Sequence, residues 1–256
     1  MTASAKSPTA LSEATTERIY RIQDRVVRFP VEVRDASSGS ASFLVPAAAA
    51  ARLVPAAFEV AQFLPGRALC TLVVVDYRDN DLGDYNEMAV GFMVYPKGRG
   101  PKIPWLGTWG DMVGGRLSSY IAHMPVDQSF TRDAGETIWG YPKTVQQIDI
   151  EYQTDRVRGR LTYDGEHAFT LSVPRGGERN VPGGQIQTLS MIDGHAYRTV
   201  AEQKMEGMGI RMGGATVELG TGRIADELRS LGLPKRALMC TWTEHMSAQF
   251  GRPERV

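Results

Sequence analysis

Between positions 146 and 173 the chain alternates apolar and polar residues in three successive runs, a period that no helix has. Ile148, Ile150 and Tyr152 alternate with Asp149 and Glu151; Val157, Leu161 and Tyr163 alternate with Arg158, Arg160 and Thr162; Phe169, Leu171 and Val173 alternate with Thr170 and Ser172. A two-residue repeat sends successive side chains to opposite faces of a pleated strand. Asp164-Gly165 separates the second and third runs, and such a pair supplies the positive φ that a tight hairpin turn requires. The three runs predict an antiparallel meander with one face buried. Further strand candidates are Leu72 to Tyr77, Met88 to Tyr95, Tyr120 to Met124, Gln185 to Ala196, Gly207 to Leu219 and Leu238 to His245.

Helices are few. Ala47 to Leu53 is alanine-rich and stops at Pro55; Ile224, Leu228 and Leu231 share a helical face closed by Gly232 and Pro234; residues 127–139 offer one or two further turns. The stretch from Gly91 to Gly107, with Pro96, Pro101 and Pro104, reads as a long loop at a site mouth. Many strands, short helices and frequent Gly/Pro turns predict a mainly β (α+β) chain, an antiparallel β-barrel or cone with a few peripheral helices. Residues 1–16 are small and polar and are expected to form a flexible tail, leaving one domain over 17–256.

Composition narrows the function classes. Lys+Arg and Asp+Glu are both 29, so the formal net charge is zero, and the electrostatic case for a nucleic-acid or anionic-membrane partner is absent. Cys70 and Cys240 are the two cysteines, too few for a disulfide scaffold. No apolar run approaches the roughly 20 residues of a membrane span, and a cytoplasmic location is expected. His123, His167, His195 and His245 lack metal-ligand spacing, so no metal and no cofactor is expected. Trp105, Trp109, Met205, Met208 and Met212 are expected to fill the core or line a cavity.

Against 23 Arg there are 6 Lys, and Lys143 has the most constrained setting, Glu136-Thr137-Ile138-Trp139-Gly140-Tyr141-Pro142-Lys143-Thr144. Two aromatics and a fixed-φ proline precede it. An amine held in an apolar pocket loses its proton more readily, because burial disfavours the ammonium. A free lysine is neutral only about once in ~2,500 molecules at pH 7, and lowering its pKa by about 3 units takes roughly 4 kcal/mol. Such an amine is a nucleophile; the other reading is a surface lysine at a strand start. The second Tyr-Pro-Lys, at Tyr95-Pro96-Lys97, is followed by Gly98-Arg99-Gly100 and reads as an exposed turn.

The segment from Glu136 to Lys143 resembles the active-site lysine segment of the acetoacetate decarboxylase family. Leu82-Gly83-Asp84-Tyr85-Asn86-Glu87 is similar to that family's tyrosine-and-acid motif, and Leu219, Ile224 to Leu228 and Trp242 to Met246 resemble its C-terminal helix and last strand. The resemblance implies a Schiff-base lyase, likewise a barrel and a homo-oligomer. Lys143 would condense with a small-molecule carbonyl substrate, Glu87 would shuttle protons or orient it, and Tyr85, Trp139 and Tyr141 would shape the pocket. Glu87 has a plainer reading too, as a strand-edge carboxylate bonded to the preceding loop. The family's second lysine is replaced by Thr144, its second acid would fall near the apolar Leu72, and Arg34 is matched to its carboxylate-binding arginine by position only. These departures point away from acetoacetate, toward decarboxylase, aldolase, dehydratase or cyclase chemistry on a larger oxo compound. The alternative is a non-covalent cyclase or small-molecule-binding barrel of secondary metabolism.

Overall fold

The computed structural model describes residues 19–256, so the tail expected over 1–16 lies outside the described residues. A short hairpin, β1 (Tyr20–Ile22) and β2 (Arg25–Val27), leads into the long strand β3 (Val31–Pro46) and one alanine turn, α1 (Ala47–Ala50). Two short strands, β4 (Phe58–Val60) and β5 (Gln62–Leu64), precede β6 (Arg67–Asn80) and β7 (Tyr85–Pro96). Helix α2 (Pro104–Val113) is followed by β8 (Ser118–Val126), α3 (Ser129–Trp139) and β9 (Lys143–Val145). The meander is β10 (Gln147–Tyr152), β11 (Arg156–Tyr163) and β12 (Glu166–Pro174). A long hairpin, β13 (Arg179–Ile192) and β14 (His195–Met212), precedes β15 (Thr216–Leu219), α4 (Gly222–Ser230), β16 (Met239–Phe250) and β17 (Glu254–Arg255).

Seven strands close on themselves in the order β7-β6-β3-β16-β14-β13-β8, with β8 pairing back to β7. The barrel is mixed rather than wholly antiparallel, because β8 and β13 run parallel through Ser119↔Thr188 and Tyr120↔Leu189. Alternation along β6 divides its side chains between two environments. Cys70, Leu72 and Val74 face outward, where they join Leu161, Phe169, Leu171 and Val173 of the meander sheet in the main hydrophobic core. Thr71, Val73, Val75 and Tyr77 face inward and line a cavity. The main core is therefore a layer between barrel wall and outer sheet, and the barrel interior is left partly open. Leu72, where the family's second acid would fall, sits in that outer layer.

Helix α3 closes one end. Phe130, Ala134 and Ile138, spaced by four, present one buried stripe to the barrel, and burying a side chain the size of Ile or Phe contributes about 1.5–3 kcal/mol.

The structure corrects several of the sequence expectations. Gly91 to Gly107 is not a long loop: β7 runs through to Pro96, and α2 begins at Pro104, a residue suited to the first helical position because its missing N–H costs nothing there. Gln185 to Ala196 is not one strand but the turn region of the β13–β14 hairpin, folded at Asp193-Gly194 with φ of 49° and 77°. Gly207 to Leu219 is broken by Gly213 and Gly214, both at positive φ. Residues 127–139 give a full eleven-residue helix. Trp105, Trp109 and Met212 are exposed, and Met205 and Met208 half-buried, so none belongs to the core. Lys97 is exposed beside the positive-φ Gly98, as expected.

Candidate active site

The lysine is placed by the end of α3. Gly140 takes φ of +65°, which an L side chain resists, and the amides of Gly140 and Tyr141 bond back to Glu136 and Gly135 carbonyls. The chain turns sharply through Pro142, and Lys143 starts β9, paired in parallel with Met124 of β8. Its side chain then lies back across the helix it has just left. Gly135 makes this possible: a Cβ there would stand 2.5 Å from Lys143 Cδ and 2.8 Å from Cε.

Lys143 is only 4% exposed, and its Nζ is surrounded by oxygen. It donates to Glu87 Oε2 at 2.8 Å, to Thr131 Oγ1 at 3.0 Å and to Tyr85 OH at 3.5 Å. The Tyr85 ring centroid is 4.9 Å from Nζ, and Tyr85 stacks on Tyr77 at 4.5 Å. Glu87 comes from the inward face of β7, in register with Val75 of β6 and Val126 of β8, and is itself buried. Burial works against the ammonium, but the charge of Glu87 and the contact with Tyr85 outweigh it and hold the amine's pKa above its ordinary value. The lowered pKa expected from an apolar pocket is thus not the resting condition. The pocket is buried as expected, but it carries its own counter-ion. Burial also raises the Tyr77, Tyr85 and Tyr141 phenols, which keeps them protonated near neutrality.

Two concavities meet at Glu87, and Lys143 borders the smaller of them. A small one, about 50 Å³, borders Lys143, Glu87, Tyr85, Trp139 and Tyr141. A larger one, about 250 Å³, fills the barrel interior and shares Tyr77, Glu87, Met124, Tyr141 and Phe250 with the first. Trp139 is fixed by donation of Nε1 to the Gly251 carbonyl and by stacking on Tyr141; Tyr141 OH is 2.6 Å from Thr188 Oγ1. A wider surface groove of about 600 Å³ borders neither Lys143 nor Glu87.

The profile of the acetoacetate decarboxylase family, "Acetoacetate decarboxylase (ADC)", matches residues 8–254. The chain belongs to the acetoacetate decarboxylase family. No curated protein matches it in sequence. Among solved structures, one from structural studies of acetoacetate decarboxylase superposes with a TM-score of 0.63 at 16% identity, covering 90% of each chain. The acetoacetate decarboxylase of Legionella pneumophila gives 0.62 at 14% identity, over 89% of this chain and 87% of that one. The enduracididine biosynthesis enzyme MppR, complexed with pyruvate, gives 0.59 at 13% identity, over 90% and 91%. At these identities the neighbours speak for the fold.

Of the site residues read from the sequence, the structure brings Lys143, Glu87, Tyr85, Trp139 and Tyr141 together and leaves Arg34 out. On β3, Val31 and Val33 point inward, so the two-residue period turns Arg34 to the surface, where it pairs with Asp79 and Asp81 at 2.7 Å and borders the groove. Thr131 and Gly135 were missed. They stand four apart on the helix preceding the lysine, the spacing that places two side chains on one helical face, and that was the available signal. His123, His167, His195 and His245 contact Glu227, Thr170, Arg255 and Asp35 respectively, and none borders either concavity.

Proposed function

We propose that this family member forms an imine between Lys143 and a ketone or aldehyde larger than acetoacetate, with Glu87 as its proton shuttle. The observation that carries this reading is a buried amine–carboxylate pair whose amine borders a small neck and whose carboxylate also borders the larger cavity. In the first step the 2.8 Å hydrogen bond passes the ammonium proton to Glu87. The free amine attacks the carbonyl carbon, one of its two protons passes to the carbonyl oxygen to give a neutral carbinolamine, and Glu87 returns the first proton to that hydroxyl, which leaves as water. One ammonium and one carbonyl become one iminium and one water, so Glu87 is a carboxylate again and the net charge is unchanged. The same electrostatics that hold the ammonium above its ordinary pKa hold the iminium, and the iminium is the electron sink for the later bond changes. With the sink in place, Glu87 is within reach to take a proton from the adjacent carbon, giving the enamine that aldol, dehydration or cyclisation steps use. Carbon dioxide loss from a keto acid draws on the same sink.

One observation favours a second reading. An amine whose pKa is raised is a poor nucleophile at rest, and the barrel would then bind a small molecule without covalent chemistry, or fold it for a non-covalent cyclisation. Oxygen exchange separates the two. Imine formation and hydrolysis exchange a ketone's oxygen with solvent, so incubation with nonan-2-one in H₂¹⁸O should label the recovered ketone with the native protein and not with Lys143→Ala. Equal labelling by both would remove the covalent reading.

A further inference from the structure

The charges lining the two concavities limit which carbonyl compounds fit. Among the described residues, Lys143 is the sole cation bordering either space, and it is already paired with Glu87, the sole carboxylate. The rest of the larger cavity is aliphatic or aromatic, with neutral oxygen and nitrogen at Ser38, Thr71, Ser119, Thr188 and Gln203. The nearest other cations are elsewhere. Arg34 is held by Asp79 and Asp81, Arg78 by Asp35, and Lys204 borders the outer groove. With a substrate carboxylate inside the barrel, the ammonium or iminium, Glu87 and the ligand would sum to one uncompensated negative charge. Burying an unpaired charge is strongly unfavourable, and Glu87, bordering both spaces, adds direct repulsion.

We infer that the cavity selects an uncharged carbonyl compound, a ketone or aldehyde with an apolar body and at most a neutral hydroxyl, ester or second carbonyl, and that it excludes keto acids. This rests on the imine reading, which it narrows. A volume of about 250 Å³ lies just below the range of drug-sized pockets, which suits a small molecule. Gln203 and Ser38 offer hydrogen bonds to a neutral oxygen on the far side of the body. On this account the chain retains its family's sink and has exchanged carbon dioxide release for chemistry at the carbon next to the carbonyl.

Methyl 6-oxoheptanoate and 6-oxoheptanoate share one skeleton and one ketone and differ in charge. Each is incubated with the full-length protein and sodium cyanoborohydride at pH 7.5, and adducts are located by peptide mass spectrometry. Rates are divided by those of Nα-acetyllysine with the same compound to remove intrinsic reactivity. The expected result is an adduct on Lys143 that forms at least tenfold faster with the ester. An acid that reacts as fast as the ester, by reaching the cations of the outer groove or otherwise, overturns charge selection and leaves the imine in place. Absence of any Lys143 adduct with either compound removes the imine reading, and this inference with it.

Discussion

Replacing Glu87 by Gln keeps shape and a hydrogen-bond acceptor but removes the charge that opposes burial of Lys143. In the native protein the carboxylate 2.8 Å from Nζ holds the amine's pKa above its ordinary value. In Glu87→Gln burial acts without its main opposition and the pKa must fall below the ordinary lysine value of about 10.4. Breaking a buried ion pair by removing one partner costs about 3–5 kcal/mol, which corresponds to a fall of roughly 2–4 pH units. The two proteins therefore depend on pH with opposite signs. A lysine with a raised folded pKa contributes stability that is fully present below about pH 10.4 and is lost as pH rises through the raised value. In the variant the unfolded chain binds the extra proton between the lowered pKa and 10.4, so stability rises with pH across that window, by at most about 1.4 kcal/mol per pH unit. Urea unfolding of both proteins from pH 7 to 10 should show a deficit of about 3–5 kcal/mol at pH 7 that narrows toward pH 10 as the variant alone recovers, without closing, because the native contribution is still fully present there. A deficit that stays constant with pH would mean that Lys143 does not carry the paired charge, and the reasoning would fail.

Gly135→Ala puts a methyl 2.5 Å from Lys143 Cδ; overpacking costs about 1–3 kcal/mol, and thermal unfolding together with reductive labelling should show lowered stability and a largely unreactive Lys143. Thr131→Val removes the 3.0 Å bond that Nζ donates; with one acceptor fewer for the ammonium the amine gives up its proton more readily, so labelling of Lys143 at neutral pH should become faster while circular dichroism stays native. Arg34→Ala removes the cation of an exposed charge cluster; urea unfolding should be little changed, because solvent screens exposed ion pairs, and ketone oxygen exchange should be unaffected. The Cys70 thiol, pushed up to about 12 by burial, should react with a thiol reagent only after denaturant is added.

The barrel was legible because strands repeat every two residues and each wall has one apolar face. The same period, applied to Val31-Glu32-Val33-Arg34, would have turned Arg34 outward; position in a family pattern carried no information about facing. The β13–β14 hairpin was open to reading as well, since Asp193-Gly194 is the same dipeptide as Asp164-Gly165. Helix α2 was hidden by its glycines and prolines, although Pro104 marks its first turn. The pairing of Lys143 with Glu87 joins residues far apart in the chain through β7, β8 and β9, and no periodicity reports such a contact; the family resemblance supplied it. The resemblance could not supply the charge state of the amine, which depends on a 2.8 Å distance and on the burial of both partners.

Reductive trapping tests the central claim most directly. The native protein, incubated with an uncharged methyl ketone and borohydride and then digested, should yield a peptide containing Lys143 heavier by the reduced ketone, and Lys143→Arg should yield none. An adduct distributed over surface lysines, or a Lys143 peptide of unchanged mass beside measurable turnover of that ketone, would contradict the account.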